Sequence, residues 1–150
     1  MNSADSPRVF VPPPLIFAGL LGLGLLTDRG PAENGVAQVA ALLLGLIGIG
    51  LIVTALGLFR KNRTRPEPWQ PSDALVNGGV YRFTRNPMYL GMAILSLAVA
   101  LFFMSLPAAI LTLAAAIIID RTVIAREEAY LARRFGEEYL AYRRSVRRWL

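Results

Sequence analysis

Four apolar stretches separated by polar ones set the outline of this chain. Val9 to Leu26 is apolar and contains Pro12, Pro13 and Pro14. Proline suits the first turn of a helix, where its missing N–H would have no partner anyway, so a helix is expected to begin near these residues. Thr27 to Gly35 reads as a turn, with Asp28, Arg29, Gly30, Pro31, Glu33 and Asn34. Val36 to Phe59 is 24 residues without a charge, enough to cross a hydrocarbon core of about 30 Å with some tilt. Met88 to Leu106 is a third apolar run and Ala108 to Ile119 a fourth, with Pro107 as the turn between them. The fourth is expected to continue as one helix through Asp120 to Phe135. Gly136 should end or bend it, and a charged helical stretch from Glu137 to Leu150 should follow.

The expected fold is a single all-α integral membrane domain over residues 1–150. Its four transmembrane helices would cover about 12–26, 36–59, 88–106 and 108–124, with interfacial helices on one side. Composition agrees. Hydrophobic residues make up 55% of the chain and mean hydropathy is +0.48. The first run lacks a basic flank beyond Arg8 and a small-residue cleavage site, so it is read as a span and not a secretory signal.

The net charge of +6 is not spread evenly. Arg60 to Pro87 holds Arg60, Lys61, Arg63, Arg65, Arg82 and Arg85 against Glu67 and Asp73, a net of +4. Asp120 to Leu150 holds eight arginines against Asp120 and four glutamates, a net of +3. The turn at Thr27 to Gly35 is −1. Four spans place both basic segments on one side, and the positive-inside rule makes that side cytoplasmic. This accounts for the charge without nucleic acid. The expected location is a prokaryotic cytoplasmic membrane, with any chemistry facing the cytoplasm.

The chain has no cysteine and no histidine. Disulfides, thiolate nucleophiles and the commonest metal ligands are excluded, and no metal site is expected. Proton transfer must use Asp, Glu, Tyr or water. Gly19, Gly22 and Gly24, and Gly45, Gly48 and Gly50, lie inside apolar helices, where they suit close helix packing better than a phosphate cradle.

Two constellations remain. Leu75 to Gly91 gathers Asn77-Gly78-Gly79, Tyr81, Arg82, Phe83, Arg85, Asn86-Pro87 and Tyr89 at the start of a membrane helix. A helix N-terminus with two arginines can bind an anion; equally, the segment can be an interfacial turn whose arginines face lipid phosphate. Beyond the fourth span comes Arg126-Glu127-Glu128. Adjacent helical side chains diverge by about 100°, so one carboxylate would face the other basic segment and one solvent. A charged helix exit explains the pair as well. Further on, Tyr139, Tyr142 and Trp149 stand beside arginines, as in a lipid-facing amphipathic helix or lid, with Arg133–Glu137 and Arg134–Glu138 as i,i+4 pairs.

Gly79-Val80-Tyr81, Arg85-Asn86-Pro87-Met88-Tyr89-Leu90-Gly91, Glu127-Glu128 and Phe135-Gly136-Glu137-Glu138-Tyr139 with Tyr142 and Val146 resemble the isoprenylcysteine carboxyl methyltransferase family, which sits with the membrane phospholipid methyltransferases. The likeness covers about half the chain, from Leu75 onward. It implies S-adenosylmethionine as cofactor, held between segments 73–91 and 120–142. Carried over by position, Asp73, Ala74, Leu75, Val76, Tyr81, Asn86, Pro87, Met88 and Tyr89 would contact it, and Glu127 would take a cofactor hydroxyl or amino group. The resemblance names no certain catalytic residue. Two departures stand out. The family usually has histidine at Asn86, and asparagine keeps a donor and an acceptor but does not titrate. The family's substrate-contacting arginine falls on Val123, with Arg121 or Arg126 as replacements.

Methyl transfer from a sulfonium asks mainly for alignment of donor and acceptor at about 3–3.5 Å and for exclusion of water. A carboxylate acceptor is ionised at neutral pH and requires no base, which suits a chain without histidine. Aromatic faces at Tyr81 and Tyr89 would attract the sulfonium. The expected partner is a lipid or lipid-modified acceptor entering from the bilayer. Rival readings are a phospholipid N-methyltransferase, a sterol-reductase-type enzyme using NADPH, and a non-enzymatic membrane adaptor.

The charge count generates a topology test. Cysteines placed singly at Ser72 and Ser145 should be shielded from impermeant thiol reagents in intact cells, and one at Asn34 should label. Labelling at Ser72 without permeabilisation would overturn the expected orientation.

Overall fold

The computed structural model describes residues 11–27, 34–65 and 72–150. The polar residues 1–8 and most of the turn expected at Thr27 to Gly35 lie outside the described residues, as do Glu67 and the prolines Pro66, Pro68 and Pro71. All regular structure among the described residues is helical.

Each helix begins where the local chemistry supplies a start. α1 (Pro13–Leu25) opens on proline in its first turn. α2 (Gly35–Lys61) is capped by Asn34, whose side chain accepts the Ala37 N–H at 3.2 Å, and ends on Arg60 and Lys61, cations that suit the negative end of the helix. α3 (Pro87–Phe102) follows Asn86 and again has proline at its start. α4 (Leu106–Ile119) is capped by Ser105, whose hydroxyl accepts the Ala108 N–H at 3.1 Å.

The third run is therefore shorter than expected. The chain turns at Phe103–Ser105, with Met104 at φ +52°, and Pro107 is not the turn but part of the first turn of α4. Serine supplies the cap and proline is harmless beside it, so the break falls before the proline. Among the described residues four apolar helices are present, of which only Gly35–Lys61 and the continuous run Leu106–Phe135 are long and apolar enough to cross a membrane. At 1.5 Å per residue, the 13 residues of α1 reach about 20 Å and the 16 of α3 about 24 Å, short of a core of about 30 Å.

Glycine decides how closely α2 and α3 approach. They pack antiparallel, with Gly45 opposite Ala98 and Leu95, and Gly48 opposite Gly91 and Leu95. A Cβ at Gly48 would lie 2.8 Å from the Gly91 carbonyl oxygen, and one at Gly91 would lie 2.7 Å from that of Gly48. Gly24 does the same between α1 and α4, where a Cβ would lie 2.4 Å from Ala108 Cα. Gly19, Gly22 and Gly50 meet nothing within 4 Å, so the packing role belongs to only some of the glycines. The outward side of α2 exposes Leu42, Leu43, Leu46, Ile47 and Val53, an apolar face that suits lipid rather than water.

Past Ile119 the helix loosens into a π turn, Asp120–Ile124, and resumes as α5 (Ala125–Phe135). Gly136 then takes φ +54° and turns the chain into α6 (Glu137–Ser145). This break cancels the expected Arg133–Glu137 and Arg134–Glu138 pairs, because i,i+4 geometry requires an unbroken helix. Glu137 pairs with Arg144 instead, at 3.6 Å. Nor do the two tyrosines of α6 lie at a lipid interface. Tyr139 and Tyr142 are buried against Ala55, Val76 and Tyr81.

The glycine contacts predict unequal effects of one substitution. Gly48→Ala should lower the thermal unfolding midpoint in detergent, at a cost of about 1–3 kcal/mol, because the new methyl meets backbone that cannot swing aside. Gly50→Ala adds its methyl to open space and should be neutral or stabilising, by up to about 1 kcal/mol. Equal midpoints for the two variants would contradict the close approach of α2 and α3 at Gly48.

Candidate functional site

Both basic segments end at the same place. The C-terminal end of α2, the irregular segment 72–78, the start of α3, and helices α5 and α6 enclose a cavity open on one side.

Local geometry explains how each wall is set. Gly78 leads into a short 3-10 turn, Gly79–Arg82, that carries Tyr81. Gly79 sits at φ +58°, and a Cβ there would lie 2.8 Å from Leu58 Cδ1, so only glycine fits without strain. The Tyr81 ring stands edge-on to Phe59, 5.8 Å between centroids, and its carbonyl accepts the Tyr142 hydroxyl at 2.7 Å. Opposite, the Tyr130 oxygen accepts the Ser72 N–H at 3.0 Å, and Thr64 accepts the N–H of Asp73 at 3.0 Å. These bonds tie segment 72–76 to α5 and to the end of α2.

The charges are arranged in two units. Tyr89 donates its hydroxyl to Glu127 at 2.8 Å. Glu128 is the more buried carboxylate, 7% exposed, and is shared by two arginines: Arg85 at 2.8 Å and Arg148 at 2.5 Å. Arg148 also reaches Asp120 at 3.1 Å, and the Trp149 N–H donates to Asp120 at 2.9 Å. The π turn makes this possible. In a regular helix the side chains of residues 120 and 128 would point about 80° apart, and one extra residue in the turn reduces that to about 20°. Asp120 and Glu128 therefore hold the same guanidinium.

Burial pushes the Tyr81 phenol well above its ordinary range, and the nearby Glu127 charge adds to this. Burial raises Tyr142 and Tyr139 as well. These three hydroxyls stay protonated at neutral pH and act as hydrogen-bonding groups, not as bases. The hydrogen bond to Glu128 raises Arg148 further above its usual value.

The structure brings together most of the residues singled out from the sequence. Ala74, Leu75, Val76, Tyr81, Asn86, Met88, Tyr89 and Glu127 line the cavity. Asp73 does not line it, being exposed with its N–H tied to Thr64, and neither does Pro87, which is buried at the start of α3. Arg121 points away: its side chain is 81% exposed and lies 3.5 Å from Asp120. The expectation that one glutamate faces solvent is corrected. Glu127 is half-buried and Glu128 is buried, because arginines from both sides converge on it. Arg85 likewise faces Glu128 and not lipid phosphate, whereas Arg82 is exposed. Asn86 donates its side-chain N–H to the Arg148 carbonyl at 2.9 Å.

The sequence did not single out Phe59, Arg65, Ser72, Tyr130 and Leu131 as wall residues, and within segment 120–142 it gave Tyr139 and Tyr142 an interfacial role. Tyr130 carried a signal, since it lies three residues past Glu127 and so on the same helical face. Phe59 and Leu131 looked like any other apolar residue. Arg85 has one further feature. Its Nε is buried and lacks a hydrogen-bond partner among the described residues, so the cavity wall holds a donor with unused capacity.

The family model for phospholipid methyltransferases matches residues 36–138, from the start of α2 to the start of α6. A protein of Haemophilus influenzae, itself described as uncharacterized, is 40% identical over 63 residues, which is 42% of this chain and the whole of that protein. No solved structure matches. The family match spans well over half of the chain, including both charged units of the cavity except the segment after α6, and this chain therefore belongs to the phospholipid methyltransferase family.

Proposed function

We propose that the chain is a multi-pass membrane enzyme that transfers a methyl group from S-adenosylmethionine to a lipid-borne acceptor, with its site on the cytoplasmic side. The cavity at the basic end carries this reading: aromatic walls, a carboxylate oriented by a phenol, and a buried arginine with an unused N–H. Family membership supplies the reaction class and favours it over the reductase and adaptor readings. The expected four spans fit a bilayer in which α1 and α3 are assisted by local thinning.

The residues present suit the cofactor. Tyr81 and Tyr89 offer aromatic faces to a cation. Glu127 has one oxygen engaged by Tyr89 and accepts hydroxyl or amino groups through its remaining lone pairs. Arg85 Nε offers an N–H to a carboxylate. When bound, S-adenosylmethionine supplies a methyl group on a sulfonium. The chain's own task is to align the partners and keep water out. Neutral Tyr81, Tyr139 and Tyr142 serve orientation.

A carboxylate acceptor is the simplest fit, since it requires no base and the chain has no histidine. A phospholipid amine is the second reading, favoured by Glu127 on the cavity wall as a group able to take the ammonium proton.

Calorimetry in detergent should show binding of S-adenosylmethionine and none of NADPH; the reverse would overturn the proposal. Membranes incubated with methyl-labelled cofactor should transfer label to extracted lipid. Label released by mild alkali as volatile methanol marks a methyl ester, and label that stays non-volatile marks an N-methyl amine. Glu127→Gln should weaken cofactor binding roughly ten- to hundredfold, the range for a hydrogen bond to a charged group. Unchanged affinity would return the glutamate pair to a charged helix exit.

A further inference from the structure

The segment after α6 lies beyond the family match and does not line the cavity, yet it grips the cavity wall from both sides. On one side it binds the start of α3. The Arg147 carbonyl accepts the Arg85 N–H at 2.9 Å, and the Arg148 carbonyl accepts the Thr84 hydroxyl at 3.1 Å and the Asn86 side-chain N–H at 2.9 Å. On the other side it binds α5 and the π turn. The Arg148 guanidinium meets Glu128 and Asp120, and Trp149 donates to Asp120. The Trp149 ring packs against the buried cluster that contains Phe17, Tyr89 and Ile119.

We propose that Arg148 is a positioning residue of the cofactor site. Its carbonyl orients Asn86 and its guanidinium orients Glu128, so that segment 146–149 clamps the start of α3 to α5 and sets the width of the cavity. The proposal rests on the cofactor reading above. Three facts distinguish it from a mere chain tether. Both side chains it holds, Asn86 and Glu128, line the cavity. Glu128 is nearly closed to water, so its charge depends on protein partners for stabilisation. Arg85, the other partner of Glu128, carries the unused Nε, and its placement depends on how Glu128 is shared. Without Arg148, Glu128 would lean on Arg85 alone, and the wall would lose both its geometry and its charge balance.

The test uses the full chain purified in detergent and reads two quantities. Hydrogen exchange needs no ligand. Arg148→Gln should speed exchange over residues 84–90 by tenfold or more while leaving residues 93–100, deep in α3, unchanged. Calorimetry with S-adenosylmethionine should show affinity about tenfold weaker. Arg148→Lys should recover part of both effects, since it keeps the charge but not the fork that reaches two carboxylates. Unchanged exchange over 84–90 would sink the clamp; faster exchange with unchanged affinity would reduce it to a tether. If Arg148→Gln fails to fold, Trp149→Phe removes the N–H to Asp120 and part of the packed ring while leaving Arg148 in place, and should move both readouts less, in the same direction. An unchanged exchange pattern in that variant also counts against the clamp. Absence of cofactor binding by the unaltered chain would defeat the cofactor reading and the positioning role with it, while exchange would still decide the clamp.

Discussion

A carboxylate shared between two arginines, one before α3 and one after α6, holds the functional end of this molecule together. Glu128 is almost closed to water. A buried carboxylate with one partner missing is strongly destabilising, and one fully paired is tolerated. Arg85 and Arg148 must therefore both be in place. Once they are, α5 lies against the start of α3, and Glu127 comes within hydrogen-bonding reach of Tyr89. The cavity is a consequence of neutralising that one charge.

The π turn at Asp120–Ile124 is what lets one helix serve two tasks. Above it, α4 packs apolar residues such as Ala115 and Ile119 against Phe17. Below it, the helix must turn its carboxylates toward arginines. One added residue changes the facing of everything that follows by about 100° without ending the helix. The strongly amphipathic α5 is thereby rephased relative to the apolar helix that leads into it. Asp120 and Glu128 can then close on Arg148 together.

The chemistry proposed for this site is modest in its demands, and the composition matches. A chain without histidine or cysteine has few ways to move protons or form covalent intermediates. Its cavity relies on aromatic faces, phenols kept neutral by burial, and carboxylates with assigned partners. In the proposed reaction such a site would work by orientation. Its performance depends on how firmly the walls are held, which is why contacts outside the cavity matter to it.

Some of this was legible in the residues alone. Uncharged runs of apolar side chains mark helices whatever surrounds them, because a backbone without water must bond to itself. The placement of charge pointed to one basic end, and the motif around Asn86-Pro87 and the glutamate pair indicated where the cavity walls would come from. Other features followed tertiary structure. The break at Phe103–Ser105 and the π turn depend on caps and helix phase, which apolar pattern does not carry. The roles of Glu127 and Glu128 were not assignable from a helical wheel, since the π turn resets its phase. Tyr139 and Tyr142 read as interfacial residues beside arginines, and only the turn at Gly136 folds them inward. Arg85 and Arg148 are 63 positions apart, and no local rule pairs them with one glutamate. The sequence by itself determined the helices, their polarity and the charge of the segments that wall the cavity, because those follow from each residue's own solvation. Partnership among charges belonged to the tertiary structure, because it depends on which distant groups are brought close enough to replace water.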